Sequence, residues 1–201
     1  MISILYLVRH GETEWNHIGK IQGHMNIPLN EIGRHQAKQL ANALVNSGIS
    51  KIYSSDLQRA YETASIIAKE LNIQEVIKCP LLRERSFGSF EGMELKQLLA
   101  EIPDYETNWD IVDNSIIESL EALRKRSVSR IMDIVTETEG EKILIVSHGA
   151  FINAFLYDIT NGQQGPGITE IPNTSYSILL YDNESGWKIQ FLNNNAHLSQ
   201  R

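Results

Sequence analysis

The chain has 201 residues, a length suited to one domain; surface scaling gives about 9,600 Å² folded against roughly 33,000 Å² extended, which buries enough for a core without disulfides or metals. Its 42% hydrophobic and 21% charged residues exclude a membrane protein and a disordered chain. A net charge of −7 counts against a general nucleic-acid binder, and the single cysteine, Cys79, excludes an internal disulfide and a zinc–thiolate cluster.

Residues 2–8 are a nearly continuous apolar run with β-branched side chains, the pattern of a buried, parallel strand that stops at Arg9-His10-Gly11. Residues 11–29 show no period and read as a long loop over the sheet edge. Asn30 caps a helix with Ile32, Ala37, Leu40, Ala41 and Leu44 on one face, ended by Gly48. A short strand spans 51–54, and Asp56 is the N-cap expected for a helix over 57–71. Residues 75–77 form a third strand, 80–91 are irregular, and 94–113 carry short helical pieces broken at Pro103. Ser115 opens a long helix to about Thr138, with Ile116, Leu120, Leu123, Val128, Ile131 and Val135 as its core face. A fourth strand over 142–147 ends at His148-Gly149, and a helix follows over 150–159. The tail switches to two strands, 175–181 and 187–192, joined as a hairpin. Alternation over most of the length gives the fold class α/β: a three-layer α/β/α sandwich with a mostly parallel sheet, helices on both faces and a C-terminal hairpin. Ligands in such sheets bind beyond the carboxyl ends of strands where strand order switches, and Arg9-His10 and His148 both stand at such ends.

Four segments carry candidate chemistry. A histidine directly after a buried strand, turned out by Gly11, is a nucleophile if a backbone carbonyl holds its other nitrogen. Arg9 beside it offers a planar fork for phosphate oxygens; the plain alternative is a solvated strand-end pair. Arg59 falls in the first turn of a helix, where the N-terminus itself favours an anion, or is an ordinary exposed arginine. Ser147-His148-Gly149 repeats the strand, histidine, glycine order. Glu84 in Leu82-Arg83-Glu84 is a general acid if it keeps a proton beside a phosphate, or a surface ion pair with Arg83 or Arg85. Other phosphoryl and hydrolytic chemistries fit worse: a Walker A loop, a Gly-rich cradle after Cys79 and a Gly-x-Ser-x-Gly elbow are all missing. His17, His24, His35 and His197 read as loop or surface residues without zinc-ligand spacing.

The Arg9-His10-Gly11-Glu12-Thr13 signature resembles the histidine phosphatase superfamily, with its phosphoglycerate-mutase-like fold. The likeness runs in family order through Trp15-Asn16, Ile21-Gln22-Gly23, Pro28 to Ala37, Ser54 to Ala60, Leu82-Arg83-Glu84, Phe87 to Gly92, Ser147-His148-Gly149 and Asn193 to Leu198. It implies that His10 attacks phosphorus and becomes phosphohistidine. Arg9, Arg59 and His148 would form the phosphate pocket, with Asn16, Gln22, Gly23 and Gly149 also in contact with phosphate or substrate. Glu84 would protonate the leaving oxygen and then activate water. Fixed cations then supply the charge for a dianionic phosphomonoester, so no metal or cofactor is expected.

The resemblance also implies one domain over 1–201, with a small cap at about 86–114. The short cap and Gln22 point to the broad-specificity phosphatase branch rather than to a cofactor-dependent phosphoglycerate mutase, and a non-catalytic phosphate-binding module is the reading from another class. Phe87, Phe90, Met93, Leu95, Leu98, Tyr105 and Trp109 either select what the cap admits or form its small core. An acidic set, Glu94, Glu101, Asp104, Glu106, Asp110 and Asp113, would disfavour highly anionic substrates if it faces the pocket. The expected partners are a small phosphomonoester and inorganic phosphate, without nucleic acid or membrane. No leader or spanning segment is read from the sequence, so the expected location is cytoplasmic.

Overall fold

A computed structural model describes residues 1–105, 108–109 and 116–199. Six strands form one sheet: β1 (Ser3–Arg9), β2 (Lys51–Ser54), β3 (Val76–Lys78), β4 (Lys142–Ser147), β5 (Tyr176–Asp182) and β6 (Gly186–Asn194), in the order β3-β2-β4-β1-β5-β6. The first four positions in that order are parallel, and the β5–β6 hairpin adds antiparallel to β1. Alternate side chains point to opposite faces, as a pleated strand requires. Leu5, Leu7, Ile143 and Ile145 pack with α5 (Leu120–Glu137) and α6 (Gly149–Ile159), whereas Tyr6, Val8, Leu144 and Val146 pack with α2 (Glu31–Leu44) and α3 (Gln58–Glu70). Both sheet faces are therefore covered, as a parallel sheet of continuous apolar runs demands. The accessible surface is 9795 Å², close to the value expected from size.

The connection after β1 leads through α2 to β2 on one side, and the connection after β4 leads through α6 to β5 on the other. The strand-order switch thus lies between the ends of β1 and β4. A four-residue helix, α1 (Glu14–His17), interrupts the loop expected over 11–29. Between β3 and α5 the chain makes two 3₁₀ turns, Pro80–Leu82 and Gly88–Phe90, and α4 (Leu95–Glu101). Phe90, Leu98 and Tyr105 pack there with Ile21 and Ile117 into a small separate core.

Asn30 caps α2 as expected, with Oδ1 accepting from Gly33 N at 2.8 Å. Two helix starts differ from the sequence reading. Asp56 does not cap α3, because both its carboxylate oxygens accept from Arg83, at 2.7 and 2.5 Å; Leu57 holds the cap position without a side-chain bond. The long helix begins at Leu120, where Ser119 Oγ accepts from Ala122 N, and Ile116 is exposed ahead of it rather than on its core face. Ser115 and the acidic residues Glu106, Asp110 and Asp113 lie outside the described residues. Glu94 is spoken for by Lys96 at 2.6 Å.

Two glycines let the loop after β1 lie flat on the start of α2. A Cβ on Gly33 would stand 2.1 Å from Glu12 O, and one on Gly11 would stand 2.6 Å from Gly33 O. Helix propensity alone favours alanine over glycine by about 1 kcal/mol. Backbone crowding decides the sign here: Gly33→Ala should destabilise the protein by about 1–3 kcal/mol, measured as a lower urea midpoint. A raised midpoint would mean that the loop moves aside without cost.

Candidate active site

Parallel pairing sets the site. Arg9 of β1 is in register with Ser147 of β4, and His10 N donates to Ser147 O at 3.0 Å. The next residues, His10 and His148, therefore emerge side by side, with ring centroids 5.1 Å apart and planes 60° to each other. His10 Nδ1 lies 2.7 Å from its neighbour's carbonyl, Gly11 O. A carbonyl only accepts, so Nδ1 carries the proton and Nε2 carries the lone pair. Gly11 N in turn donates to Thr63 Oγ1, and Thr63 Oγ1 donates to Arg59 O, which ties the turn to α3.

Arg59 stands in the first turn of α3 and is wholly buried. Its NH1 donates to Met25 O and its NH2 to Gly23 O, both at 2.8 Å, and its Nε points at His10 Nε2 at 3.3 Å. Gly23 has φ +46°, and a Cβ there would strike the Glu91 carboxylate at 2.2 Å, so the turn that presents this carbonyl requires glycine. Arg9 NH1 is anchored on Ile171 O at 2.5 Å, while its Nε is buried without a protein partner. Both nitrogens of fully buried His148 are also unpartnered among the described residues. Buried polar groups are normally satisfied, and these three atoms, beside His10, are exceptions.

Burial, reinforced by Arg59 and Arg9, drives the His10 pKa well below the ordinary histidine value. The same causes, with His10 itself, lower His148. Both rings are consequently neutral at pH 7. Burial also lowers Arg59, to about 10, against the opposing pull of Glu84, and lowers Arg9, so the guanidiniums keep their charge.

A cavity of about 260 Å³ opens in front of these groups, lined by Arg9, His10, Asn16, Gln22, Gly23, Arg59 and Glu84 and walled by Trp15, Lys20, Phe87, Leu95 and Tyr105. Thr13 caps α1 and organises the polar side: Asn16 Oδ1 accepts from Thr13 N at 3.2 Å, and Gln22 Oε1 lies 3.0 Å from Thr13 Oγ1. Both amides have their oxygens engaged, which leaves their N–H groups for a ligand. Asn173 Nδ2 donates to His10 O at 3.0 Å and steadies the loop from β5's side. Gly149 opens α6, where its Cβ position would sit 3.7 Å from Arg9 Nε.

Glu84 faces this cavity from the irregular segment. Its Oε1 accepts from Arg85 N at 2.9 Å, Ala150 N at 3.0 Å and Phe151 N at 3.2 Å, so the N-terminus of α6 grips one oxygen. Oε2 has only a 3.4 Å contact to Ala150 N. Neither arginine neighbour pairs with it. Arg83 is taken by Asp56, and Arg85 is fully buried with its donors on Glu118 O, Tyr105 Oη and Trp109 O.

Supporting residues escaped the sequence reading. Arg126 of α5 donates to the carbonyls of Leu81, Arg83 and Glu84 and pairs with Glu118, so it holds the backbone that carries Glu84. His24 donates from Nε2 to Glu84 O at 2.8 Å. His197, expected in a loop or at the surface, is buried against Thr174 and Tyr176. The Thr13–Asn16 spacing was the one local signal available, as a capping-box pattern.

Neutral buried histidines make stability depend on pH in a definite direction. Below about 6.5 the unfolded chain takes up protons that the folded sites of His10 and His148 resist. The unfolded state then binds more protons, so stability is complete above that pH and falls as pH drops through it. Without phosphate, the urea midpoint should fall between pH 7.5 and pH 5, and His148→Asn should fall less steeply. Identical slopes would mean that His148 is charged in the folded protein.

The family model described as "Histidine phosphatase superfamily (branch 1)" matches residues 5–195. The chain is 36% identical to phosphoglycerate mutase-like protein 4 of Arabidopsis thaliana, covering 98% of this chain and 87% of the relative. It is 33% identical to a metal-independent phosphoserine phosphatase of the same plant, over 98% of this chain and 84% of the relative. A phosphoserine phosphatase mutant from Entamoeba histolytica, solved in complex with phosphoserine, superposes with a TM-score of 0.84 at 28% identity, over 98% of this chain and 99% of the other. With the strand-end histidines brought together and the match running almost end to end, this chain belongs to the histidine phosphatase superfamily and is an enzyme of that family.

Proposed function

We propose that the protein hydrolyses small phosphomonoesters through a phosphohistidine at His10, without a metal. The observation that carries this reading is the fixed tautomer of His10: Nδ1–H is locked on Gly11 O, which leaves the lone pair on Nε2, where Arg59 Nε donates at 3.3 Å, in a residue that lines the cavity. In this reading Arg9 and Arg59, which line the cavity, and His148, whose ring lies 5.1 Å from that of His10, provide the donors that a phosphoryl group's oxygens need as charge redistributes. In the first half-reaction His10 Nε2 forms a bond to phosphorus, the bond to the ester oxygen breaks, and that oxygen takes a proton from Glu84 Oε2. In the second, Glu84 removes a proton from water, the resulting hydroxide oxygen bonds to phosphorus, and the P–N bond breaks to give phosphate and free His10. In this reading a phosphate's oxygens accept from Arg9 Nε and from the single N–H of neutral His148. Asn16, Gln22 and the Gly23 turn, which line the cavity, complete the phosphate contacts in this reading, with Gly149 packed on Arg9 beside them, and the cavity volume suits a small ester. The same first step serves a mutase; the small cavity is what favours hydrolysis in this reading.

Rapid acid quench during turnover should trap an acid-labile phosphorylated enzyme in the wild type and none in His10→Ala, whose rate should fall at least a thousandfold while the fold persists. Residual activity near wild type would remove His10 from the nucleophile's role. Saturating EDTA should leave the rate unchanged, since guanidiniums rather than a bound metal balance the phosphate. Glu84→Gln should lose about a hundredfold with alkyl phosphates and far less with p-nitrophenyl phosphate, whose leaving group needs no proton. Equal losses on both would take Glu84 out of the acid's role.

A further inference from the structure

The segment Pro28 to Ala37 does not line the reaction cavity, and the chemistry above uses none of its side chains. One of them, Gln36 of α2, instead stands behind the nucleophile. It lies one helical turn after Gly33, whose missing Cβ lets the Gly11–Glu12 segment rest on the helix. Gln36 Oε1 accepts from Glu12 N at 2.9 Å. That N–H and the Gly11 carbonyl are the two ends of one planar peptide group. The carbonyl end accepts from His10 Nδ1–H at 2.7 Å. A single peptide thus joins the imidazole to Gln36 through two hydrogen bonds in series. The preceding peptide is pinned separately, with His10 O on Asn173 Nδ2 and Gly11 N on Thr63 Oγ1, both at 3.0 Å. Asn30 Nδ2 holds the Glu12 carboxylate through Oε1 at 2.8 Å. Arg34, near Gln36 on α2, is paired with Glu31 and Glu62.

Hydrogen bonds in series polarise one another, so a peptide whose N–H is engaged is a stronger acceptor at its carbonyl. Attack on phosphorus through Nε2 builds positive charge on the ring, and Nδ1–H carries part of it. Arg59 from α3 and Arg9 from β1 oppose that charge, and His148 and Glu84 are the other ionisable groups around the ring. The Gly11 carbonyl is the acceptor that meets the charge at Nδ1. We propose that Gln36 is a positioning residue for the nucleophile: through the Gly11–Glu12 peptide it holds the Nδ1–H tautomer of His10 and eases the build-up of charge on the ring during phosphoryl transfer. The inference rests on the phosphatase reading above.

Two variants test this in opposite directions. Gln36→Leu leaves the Glu12 N–H without its acceptor, whereas Gln36→Glu keeps an acceptor and makes it anionic. In isotope-labelled protein at neutral pH without substrate, the His10 Nδ1–H proton resonance should move upfield in Gln36→Leu and downfield in Gln36→Glu. Single-turnover quench with p-nitrophenyl phosphate should show phosphorylation of Gln36→Leu slowed about tenfold per folded molecule, the low end of what loss of a histidine's outer partner costs in metal sites. Substrate affinity should be unchanged, and Gln36→Glu should be the faster of the two variants. An amide that only braces the loop would lower the urea midpoint of Gln36→Leu and leave the resonance and the phosphorylation rate in place. That result, or a resonance that moves the same way in both variants, overturns the proposal. Gln36→Glu decides by its downfield shift alone if Gln36→Leu does not fold. If the wild type is never phosphorylated, the phosphatase reading falls, and the resonances still decide whether Gln36 acts on the His10 ring.

Discussion

The in-register pairing of β1 with β4 is the constraint on which the site depends. It sets Arg9 opposite Ser147 and so sends His10 and His148 out of the sheet as neighbours, although most of the chain separates them in sequence. A slip of one residue would send each side chain to the opposite face of the sheet. The register is held by apolar side chains that alternate between two separate cores, one under α5 and α6 and one under α2 and α3. Chemistry at the strand ends is in this sense a product of packing along the strands.

That packing also carries an electrostatic load. Arg59 is buried with two carbonyls and an imidazole as partners instead of a carboxylate, and Arg9 and His148 leave polar atoms unpaired. Groups in this state cost stability in the free protein. The histidines respond by staying neutral, which is the form a nucleophile needs, and the arginines stay charged, which is the form a phosphate needs. Local geometry overrides the acidic balance of the whole chain, whose net charge is −7.

The sheet and the strand-end histidines that it brings together are legible because their signals are local. Apolar runs mark β1, β2 and β4, and a glycine after each strand-end histidine marks the turns. Asp56 was misread because a distant arginine outcompetes the helix N-terminus for its oxygens. The start of α5 was placed early because Ser115 and Ser119 are both capable caps, and only tertiary packing chooses between them. Arg85 and Arg126 were opaque for a deeper reason: their partners are mostly backbone carbonyls and rings from remote segments, which leave no pattern in sequence. His197 became buried through the same kind of long-range packing.

The wall of Phe87, Leu95 and Tyr105 on the reaction cavity divides labour within the molecule. Arg9, His10 and His148 stand at strand ends of the sheet, whereas that wall belongs to the segment between β3 and α5. Descendants of such a scaffold can exchange one metabolite for another by drifting at the periphery while the reaction itself is inherited intact.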